Sequence, residues 1–371
     1  MKLESYILND FFDILNNQNI DYCVMNNYGD MPEVIPSDVD FAIEEKAFNQ
    51  LDFLVLTLAN KHNVSVTQKI WHGHNKCAYI LSPLDTEEYF WLQLDFFVDF
   101  CAKNYPNLIP VNKMLENKVS FKNFYVPKSV IEVPFIIQRR IIKGDLNIKH
   151  IQSLHTLYNE NSKDIESELF QMFGQNLGQI IINSIATKDI NLFNNNMDDL
   201  KLKLKLISKS NIDSSYKVNY AIQQIKRTFY RVLYPTGLSI GFIDGSKNSE
   251  IISQVDEVIS GSFHGTFEYS LNNLIEYLLL DKIKIKWATI TKRKVYIKIP
   301  ESYGKIKLYF LTKFVLIKPD IVFDSNRIDS LNIIDKEDDF KKMTSEILAK
   351  QSQNTMKHMF NFLSPTAKKK D

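Results

Sequence analysis

Glycine and cysteine are both scarce in this chain. Glycine accounts for 11 of the 371 residues, which is about 3% against about 7% in average proteins. No G-x-G-x-x-G segment occurs, so the ordinary fingerprint of a dinucleotide-binding domain is excluded. Three cysteines without C-x-x-C spacing are too few for a disulfide framework, and we expect them to be reduced and mostly structural.

The chain also lacks a charge excess and a long apolar run. Its 45 lysines and arginines nearly balance its 44 aspartates and glutamates, which leaves a net charge of +1. A nucleic-acid binder held by a global positive field is therefore not expected. No apolar run approaches the roughly 18 residues of a membrane span. The first ten residues include Glu4 and Asp10 and no apolar segment, which argues against a signal peptide, so the cytoplasm is the expected compartment.

What the chain does contain is enough apolar sequence for sizeable cores. Hydrophobic residues make up 44% of it and aromatic residues 12%, so disorder of the whole chain is excluded. The length favours two or three domains. The periodicities predict an α/β protein in three parts: an α+β domain over residues 1–125, a helical domain over 126–232, and an α/β domain over 233–371.

The first part alternates between helix and strand signals. Helical spacing of apolar residues predicts helices at 3–15 and 51–58, and short apolar runs predict strands at 20–25, 37–43, 64–70, 76–81 and 91–98. Amphipathic helical patterns dominate from Ser129 to about Val232, where the polar stretch 187–213 is interpreted as a helix–loop connection. The last part predicts a parallel sheet, with strands at 238–243, 293–299 and 320–323 alternating with helices at 251–259, 271–280, 306–317 and 338–362.

Three aspartates carry the most informative chemistry. Asp38 and Asp40 are two residues apart on a predicted strand, so their side chains project from the same face. Asp95 ends an apolar run, and it completes a three-carboxylate cluster if its strand lies beside theirs. Parallel carboxylates are costly to bury without a cation, and Mg²⁺ or Mn²⁺ fits such a cluster. The alternative is a turn in which S-D-x-D caps a helix or accepts backbone hydrogen bonds, although the apolar continuation to Ile43 weakens it.

The order of these features resembles the polymerase-β-like nucleotidyltransferase superfamily: a strand and turn, D-x-D on the next strand, and a lone aspartate on a later strand. The segment 22–28 followed by 37–40 looks especially like nucleotidyltransferases of bacterial surface-polysaccharide gene clusters. The resemblance covers roughly residues 1–125. It implies that Asp38 and Asp40 are the metal-binding pair and that Asp95 lies closest to the acceptor hydroxyl. It also implies a nucleoside triphosphate as substrate.

One position departs from that family. Its members usually have Gly-Ser on the turn after the first strand, where backbone N–H groups and a hydroxyl hold the triphosphate. Asn26 and Asn27 stand nearest that position here. Asparagine tolerates left-handed backbone and its amide can donate to phosphate, so Asn26, Asn27 and the nearby Ser37 are the candidate nucleotide-binding residues.

Two other clusters invite a functional interpretation. His72 and His74 share one face of a strand, but a zinc site needs three or four ligands and Cys77 is the only nearby addition, so an exposed strand end is favoured. Arg139, Arg140 and Lys143 lie on a predicted helix. Such a group is usually a solvated face, yet one cation would bind triphosphate if that helix bordered the cleft.

The segment 236–249 resembles the phosphate-binding loop of thymidylate-kinase-like proteins in its strand–turn–helix placement. Lys247 keeps the lysine, but Ser246 replaces the second glycine and Asn248 replaces the hydroxyl residue that holds magnesium. Residues 324–329 faintly resemble the D-R-Y-x-x-D stretch of the same kinases. Residues 233–371 are therefore predicted to be a degenerate kinase-like domain without kinase activity, with a plain α/β interaction domain as the alternative.

The sequence thus predicts a metal-dependent enzyme that moves a nucleotidyl group from a nucleoside triphosphate to a hydroxyl acceptor, such as a sugar or polyol. The resemblance points to surface-polysaccharide biosynthesis, while the residues themselves identify neither the acceptor, the base nor the oligomeric state. The alternative is a non-catalytic regulatory or scaffold protein that keeps both folds for binding. A toxin–antitoxin nucleotidyltransferase fits the chemistry, but such chains are typically shorter.

Overall fold

The computed structural model describes residues 2–73, 75–84, 89–102, 105–243, 248–263, 265–270, 282–291, 293–299, 320–324 and 336–361. Over these residues the protein has an α/β fold, which confirms the predicted class. None of the described helices combines the length and the apolar character that crossing a membrane requires. The predicted helices 271–280 and 306–317 lie outside the described residues.

The helices are α1 (Leu3–Asn17), α2 (Glu45–Phe48), α3 (Leu51–Lys61), α4 (Val111–Leu115), α5 (Ser129–Lys143), α6 (Ile148–Glu160), α7 (Ser162–Phe173), α8 (Gln175–Thr187), α9 (Ile190–Asn195), α10 (Met197–Ser210), α11 (Ser214–Leu233), α12 (Asn248–Ile259), α13 (Lys282–Ile290) and α14 (Lys336–Asn361). The strands are β1 (Tyr22–Met25), β2 (Val39–Ile43), β3 (Ser65–Gly73), β4 (Lys76–Ser82), β5 (Leu92–Phe97), β6 (Asp99–Ala102), β7 (Tyr105–Pro110), β8 (Lys118–Phe121), β9 (Phe124–Pro127), β10 (Leu238–Ile243), β11 (Thr266–Ser270), β12 (Lys294–Ile299) and β13 (Ile321–Asp324).

Four sheets connect these strands. The largest has the order β1-β2-β5-β4-β3, in which β1 and β2 are antiparallel and β2 and β5 are parallel. The hairpins β6–β7 and β8–β9 form two small sheets. The fourth sheet has the order β11-β12-β10-β13 and all its pairs are parallel, as the alternation of strands and helices predicts.

The chain divides into two compact units. The first comprises Met1–Leu51, His72–Cys77 and Leu94–Gln224, and the second comprises Asp52–Trp71, Ala78–Gln93 and Ile225–Asp371. The first unit contains β1, β2 and the helices α5 to α10, and the second contains the parallel sheet. The sequence-based boundaries at 125 and 232 stay predictions.

An aromatic cluster fixes the strands that carry the candidate site. Phe41 of β2 stacks on Phe96 of β5 with ring centroids 4.9 Å apart, and both rings are fully buried. Phe11 of α1 meets these rings edge-on at 5.6 and 5.7 Å. Because strand side chains alternate between faces, this packing directs the residues before Phe41 and Phe96 to the opposite face of the sheet.

The middle of the chain is helical, as predicted, but more continuously so. The polar stretch 187–213 is not a helix–loop connection, because the whole of α9 and of α10 lies within it. Phe193, Leu200 and Leu204 are fully buried there. These two helices therefore pack through a narrow apolar stripe, although lysine and asparagine dominate their composition. Helix α5 continues through Pro134 and ends at Lys143, where Gly144 caps it with a left-handed φ of +65°.

Gly237, at the start of the parallel sheet, leaves no room for a side chain. A Cβ there would lie 2.6 Å from the Arg293 carbonyl oxygen and closer still to that of Thr289. Gly237→Ala is therefore expected to lower the free energy of unfolding by about 1–3 kcal/mol, because the obstructing atoms belong to the backbone. Urea titration of the wild type and the variant measures this difference in the free energy of unfolding. Gly29→Ala is the control, since no atom lies within 4 Å of its added Cβ, and equal stability of the two variants would contradict the prediction.

Candidate functional site

The three predicted aspartates meet on the face of the sheet opposite the aromatic cluster. Strand β2 begins at Val39, so Asp38 immediately precedes the strand and Asp40 lies within it. Asp40 is the direct register partner of Asp95 across the parallel β2–β5 pair, and Phe41 is the register partner of Phe96. The alternation of side chains thus separates carboxylates from phenyl rings in two adjacent strands.

The carboxylates are close enough to share a ligand. One carboxylate oxygen from each of Asp38, Asp40 and Asp95 lies within 4.8 Å of the other two. Asp40 and Asp95 are 6% and 4% exposed, while Asp38 is only partly buried. The structure therefore brings the three aspartates together, as the sequence predicts. The alternative of a turn at S-D-x-D does not apply to Asp40, because Asp40 is a strand residue. Their catalytic and metal-binding roles stay predictions.

Two cations contact the carboxylates. The Lys76 ammonium at the start of β4 lies 3.2 Å from an Asp95 carboxylate oxygen. The Arg139 guanidinium, on α5, donates a hydrogen bond to Asp40 and forms an ion pair with it. Three carboxylates and two cations give this cluster a formal charge of −1, so it retains an attraction for a further positive charge.

The pKa values of both cations reflect these partners. Burial opposes the charged form of Lys76, but Asp95 and Asp40 outweigh it and raise the pKa of the ammonium above its usual value. Burial likewise opposes the charge on Arg139, and the attraction and hydrogen bond of Asp40 raise the pKa of the guanidinium. Both side chains therefore remain cationic at neutral pH.

The turn after β1 borders the cluster. Met25, the last residue of β1, is the register partner of Asp40, and Asn26 and Asn27 follow it in the chain. Both have left-handed backbone, with φ values of 67° and 51°. This conformation is the one for which asparagine is best suited after glycine. The Ser37 hydroxyl donates a hydrogen bond of 3.1 Å to Asp38.

A buried glutamate, which was not predicted from the sequence, accepts hydrogen bonds from this turn. Glu132 of α5 is 2% exposed. Its carboxylate accepts a hydrogen bond of 2.6 Å from the Tyr28 hydroxyl and another from the backbone N–H of Asn26. Burial raises the pKa of Glu132 to about 7, the Tyr28 hydrogen bond opposes that rise, and the charge of Glu160 adds to it.

The raised pKa of Glu132 predicts a pH dependence of stability. The folded protein binds this proton up to about pH 7, whereas the unfolded chain releases it near pH 4.5. Stability contributed by this group is therefore present below that lower pH and is lost as the pH rises towards 7, by at most about 1.4 kcal/mol per pH unit. Urea titrations of the wild type and Glu132→Gln at pH 5, 6 and 7 measure it. Identical pH slopes in both proteins would contradict the assignment.

The two other cations on α5 have different surroundings: Arg140 has partners outside the cluster, whereas the charges of Arg139 and Asp38 act on Lys143. The Arg140 guanidinium pairs with Asp145 at 3.0 Å and contacts a ring nitrogen of His150 at 2.8 Å. Lys143 is exposed, as is His72 at the end of β3. His74 lies outside the described residues, as do Ser246 and Lys247 of the predicted phosphate-binding loop. The surrounding strand β10 and helix α12 are present as predicted.

The donor set fits a hard divalent cation. All three ligand groups are carboxylates, which Mg²⁺ and Mn²⁺ prefer over nitrogen or sulfur donors. The partial exposure of Asp38 leaves one side of the cluster accessible to solvent. Asp38, Asp40 and Asp95 can therefore bind a metal, although the donor set alone does not distinguish Mg²⁺ from Mn²⁺.

No protein-family model and no curated protein matches the chain. Two solved structures are similar to it at low identity. JHP933 from Helicobacter pylori is 12% identical, with a TM-score of 0.31 over 59% of this chain and 96% of its own. A candidate nucleotidyltransferase from H. pylori is 11% identical, with a TM-score of 0.29 over 56% of this chain and 92% of its own.

Proposed function

We propose that this protein is a metal-dependent nucleotidyltransferase. The observation that carries the proposal is the convergence of Asp38, Asp40 and Asp95 on two adjacent parallel strands, with their oxygens within 4.8 Å. The sequence resemblance of residues 1–125 to the polymerase-β-like superfamily supports the same conclusion.

The reaction transfers a nucleotidyl group to a hydroxyl. The acceptor oxygen attacks the α-phosphorus, the bond from that phosphorus to the bridging oxygen breaks, and pyrophosphate leaves with the electron pair. The acceptor proton passes to a neighbouring carboxylate, for which Asp95 is the candidate, or to water. A divalent ion bound by the three aspartates would neutralise charge developing on the phosphoryl oxygens and acidify the acceptor hydroxyl.

The surrounding groups have complementary roles. Lys76 and Arg139 supply positive charge beside the carboxylates, where the phosphates of a bound triphosphate would contact them. In the left-handed turn, the side-chain amides of Asn26 and Asn27 and the backbone N–H of Asn27 would be further phosphate donors, since the Asn26 backbone N–H is already donated to Glu132. Ser37 orients Asp38 through its hydroxyl. Binding and orientation of the triphosphate are thus assigned to residues of β4, α5 and the β1–β2 connection.

The acceptor is proposed by chemical class. A sugar or polyol hydroxyl suits the resemblance to nucleotidyltransferases of surface-polysaccharide gene clusters. The near balance of positive and negative residues, with a net charge of +1, gives no reason to favour a nucleic-acid acceptor.

One observation favours the alternative of a non-catalytic binding or scaffold protein. Asp40 and Asp95 each have a cationic partner already, in Arg139 and Lys76. A network of this kind keeps two buried carboxylates ionised without a metal ion. In a scaffold protein these ion pairs would be purely structural, and divalent cations would bind weakly or not at all.

Calorimetry with Mn²⁺ and a non-hydrolysable nucleoside triphosphate separates the two functions. The nucleotidyltransferase is expected to bind the triphosphate saturably and only with the metal, and to release pyrophosphate when sugar or polyol acceptors are added to a hydrolysable triphosphate. The double variant Asp38→Asn, Asp40→Asn should do neither. Equal binding by the wild type and the double variant, or no binding by either, would overturn the proposed function.

A further inference from the structure

We propose that Glu132 is a positioning residue that holds the Asn26–Asn27 turn in its phosphate-binding conformation. The inference rests on the proposed function and assigns a role to a residue outside the metal cluster. Glu132 is buried, so its carboxylate acts on the turn and not on the substrate.

The hydrogen bonds of Glu132 are directed at the turn itself. Its carboxylate accepts from the Asn26 N–H and from the Tyr28 hydroxyl, which are two positions apart and enclose Asn27. Left-handed backbone is unfavourable for residues other than glycine, so two successive asparagines in that region require support from their surroundings. Glu132 supplies this support on both sides of Asn27.

The helix that carries Glu132 also carries Arg139. The two residues are seven positions apart on α5, which is close to two full turns, so both project from the same side of the helix. Glu132 contacts the turn, and Arg139 contacts Asp40, the register partner of Met25. One rigid element thus fixes the turn and the adjacent carboxylate relative to each other.

A purely structural carboxyl would be an unfavourable choice at this position. Burial raises the pKa of Glu132, which means that its ionised form is kept at a cost in stability. A leucine of similar size would fill the same space without that cost. The two hydrogen bonds to the turn are the feature that leucine would not reproduce.

Glu132→Leu and Glu132→Gln test the proposal by calorimetry. With Mn²⁺ present, the dissociation constant of a non-hydrolysable triphosphate is expected to rise about 10-fold in the leucine variant and about 3-fold in the glutamine variant, which keeps one acceptor. The dissociation constant of Mn²⁺ alone should stay within about twofold of the wild type, because the aspartates are unchanged. In the steady state, the KM for triphosphate should rise and kcat should change little.

Tyr28→Phe is the second variant, for use if the leucine variant fails to fold, and it should raise the triphosphate dissociation constant in the same direction as Glu132→Gln. Glu166→Leu is the matched control, because Glu166 likewise accepts a hydrogen bond from a tyrosine, Tyr158, but this bond joins α6 to α7 and not α5 to the turn. If the wild type binds triphosphate and the Glu132 and Tyr28 variants bind it equally well, the positioning role is overturned while the proposed function stands. If the wild type binds no triphosphate, both are overturned.

Discussion

Asparagine in place of Asp38 is expected to lower nucleotidyl transfer at least about 10²-fold, or about 2.7 kcal/mol of transition-state stabilisation, while the protein stays folded. Asp38 is the best of the three carboxylates for this experiment. It is partly exposed, whereas Asp40 and Asp95 are buried against Arg139 and Lys76. Removing the charge of Asp38 therefore weakens the metal cluster without leaving a buried cation unpaired.

Pyrophosphate release and Mn²⁺ calorimetry measure the effect of Asp38→Asn, and thermal unfolding measures the fold. Asp13→Asn is the matched control, because it removes one exposed carboxylate from α1, outside the cluster. The control should bind Mn²⁺ and turn over as the wild type does. An Asp38→Asn protein with activity within about threefold of the wild type would show that this carboxylate is not part of the catalytic site.

The convergence of the aspartates was predictable because strand geometry is local. Asp38 and Asp40 are separated by one apolar residue, and Asp95 is followed by two phenylalanines, so the alternation of faces follows from the sequence alone. The adjacency of β2 and β5 required one further assumption, because β3 and β4 intervene along the chain. The structure confirms that adjacency, and the aromatic cluster provides its physical cause.

The cations around the cluster were harder to predict: Arg139 was a candidate only on the condition that its helix bordered the cleft, and Lys76 was not a candidate. Arg139 reaches Asp40 from a position 99 residues later in the chain, and a helical pattern identifies a face of α5 without identifying its neighbour. Lys76 begins a strand with no feature that separates it from other lysines. Glu132 does have a sequence signal, because an acidic residue among Ile131, Val133 and other apolar residues is typical of a buried carboxyl with a partner.

Small elements were also beyond the sequence patterns. The hairpins β6–β7 and β8–β9 have strands of four to six residues, too short for alternation to stand out from neighbouring turns. Helices α9 and α10 were obscured by their composition, because lysine and asparagine alternate with the few leucines that are buried. In both cases the tertiary packing, and not the local propensity, selects the structure.

Methionine in place of Arg139 is expected to have opposite effects on metal binding and on transfer. Without the guanidinium, the formal charge of the cluster changes from −1 to −2, so the affinity for Mn²⁺ alone should rise about 10-fold. Transfer should nevertheless fall about 10²-fold, because a cation that would contact the phosphates is lost. If the Arg139–Asp40 pair were purely structural, Arg139→Met would lower the stability of the protein, and Mn²⁺ would neither bind more tightly nor raise the unfolding temperature.

Three measurements on Arg139→Met decide between these cases: Mn²⁺ calorimetry, the shift of the unfolding temperature on adding Mn²⁺, and pyrophosphate release. Arg140→Met is the matched control, because Arg140 lies next in the helix but pairs with Asp145 and contacts His150. Arg139→Lys keeps the charge and loses the planar fork, so its Mn²⁺ affinity should stay near that of the wild type while transfer is still reduced. A folded Arg139→Met protein that binds Mn²⁺ more weakly than the wild type would show that Arg139 supports the metal cluster instead of competing with the metal for Asp40.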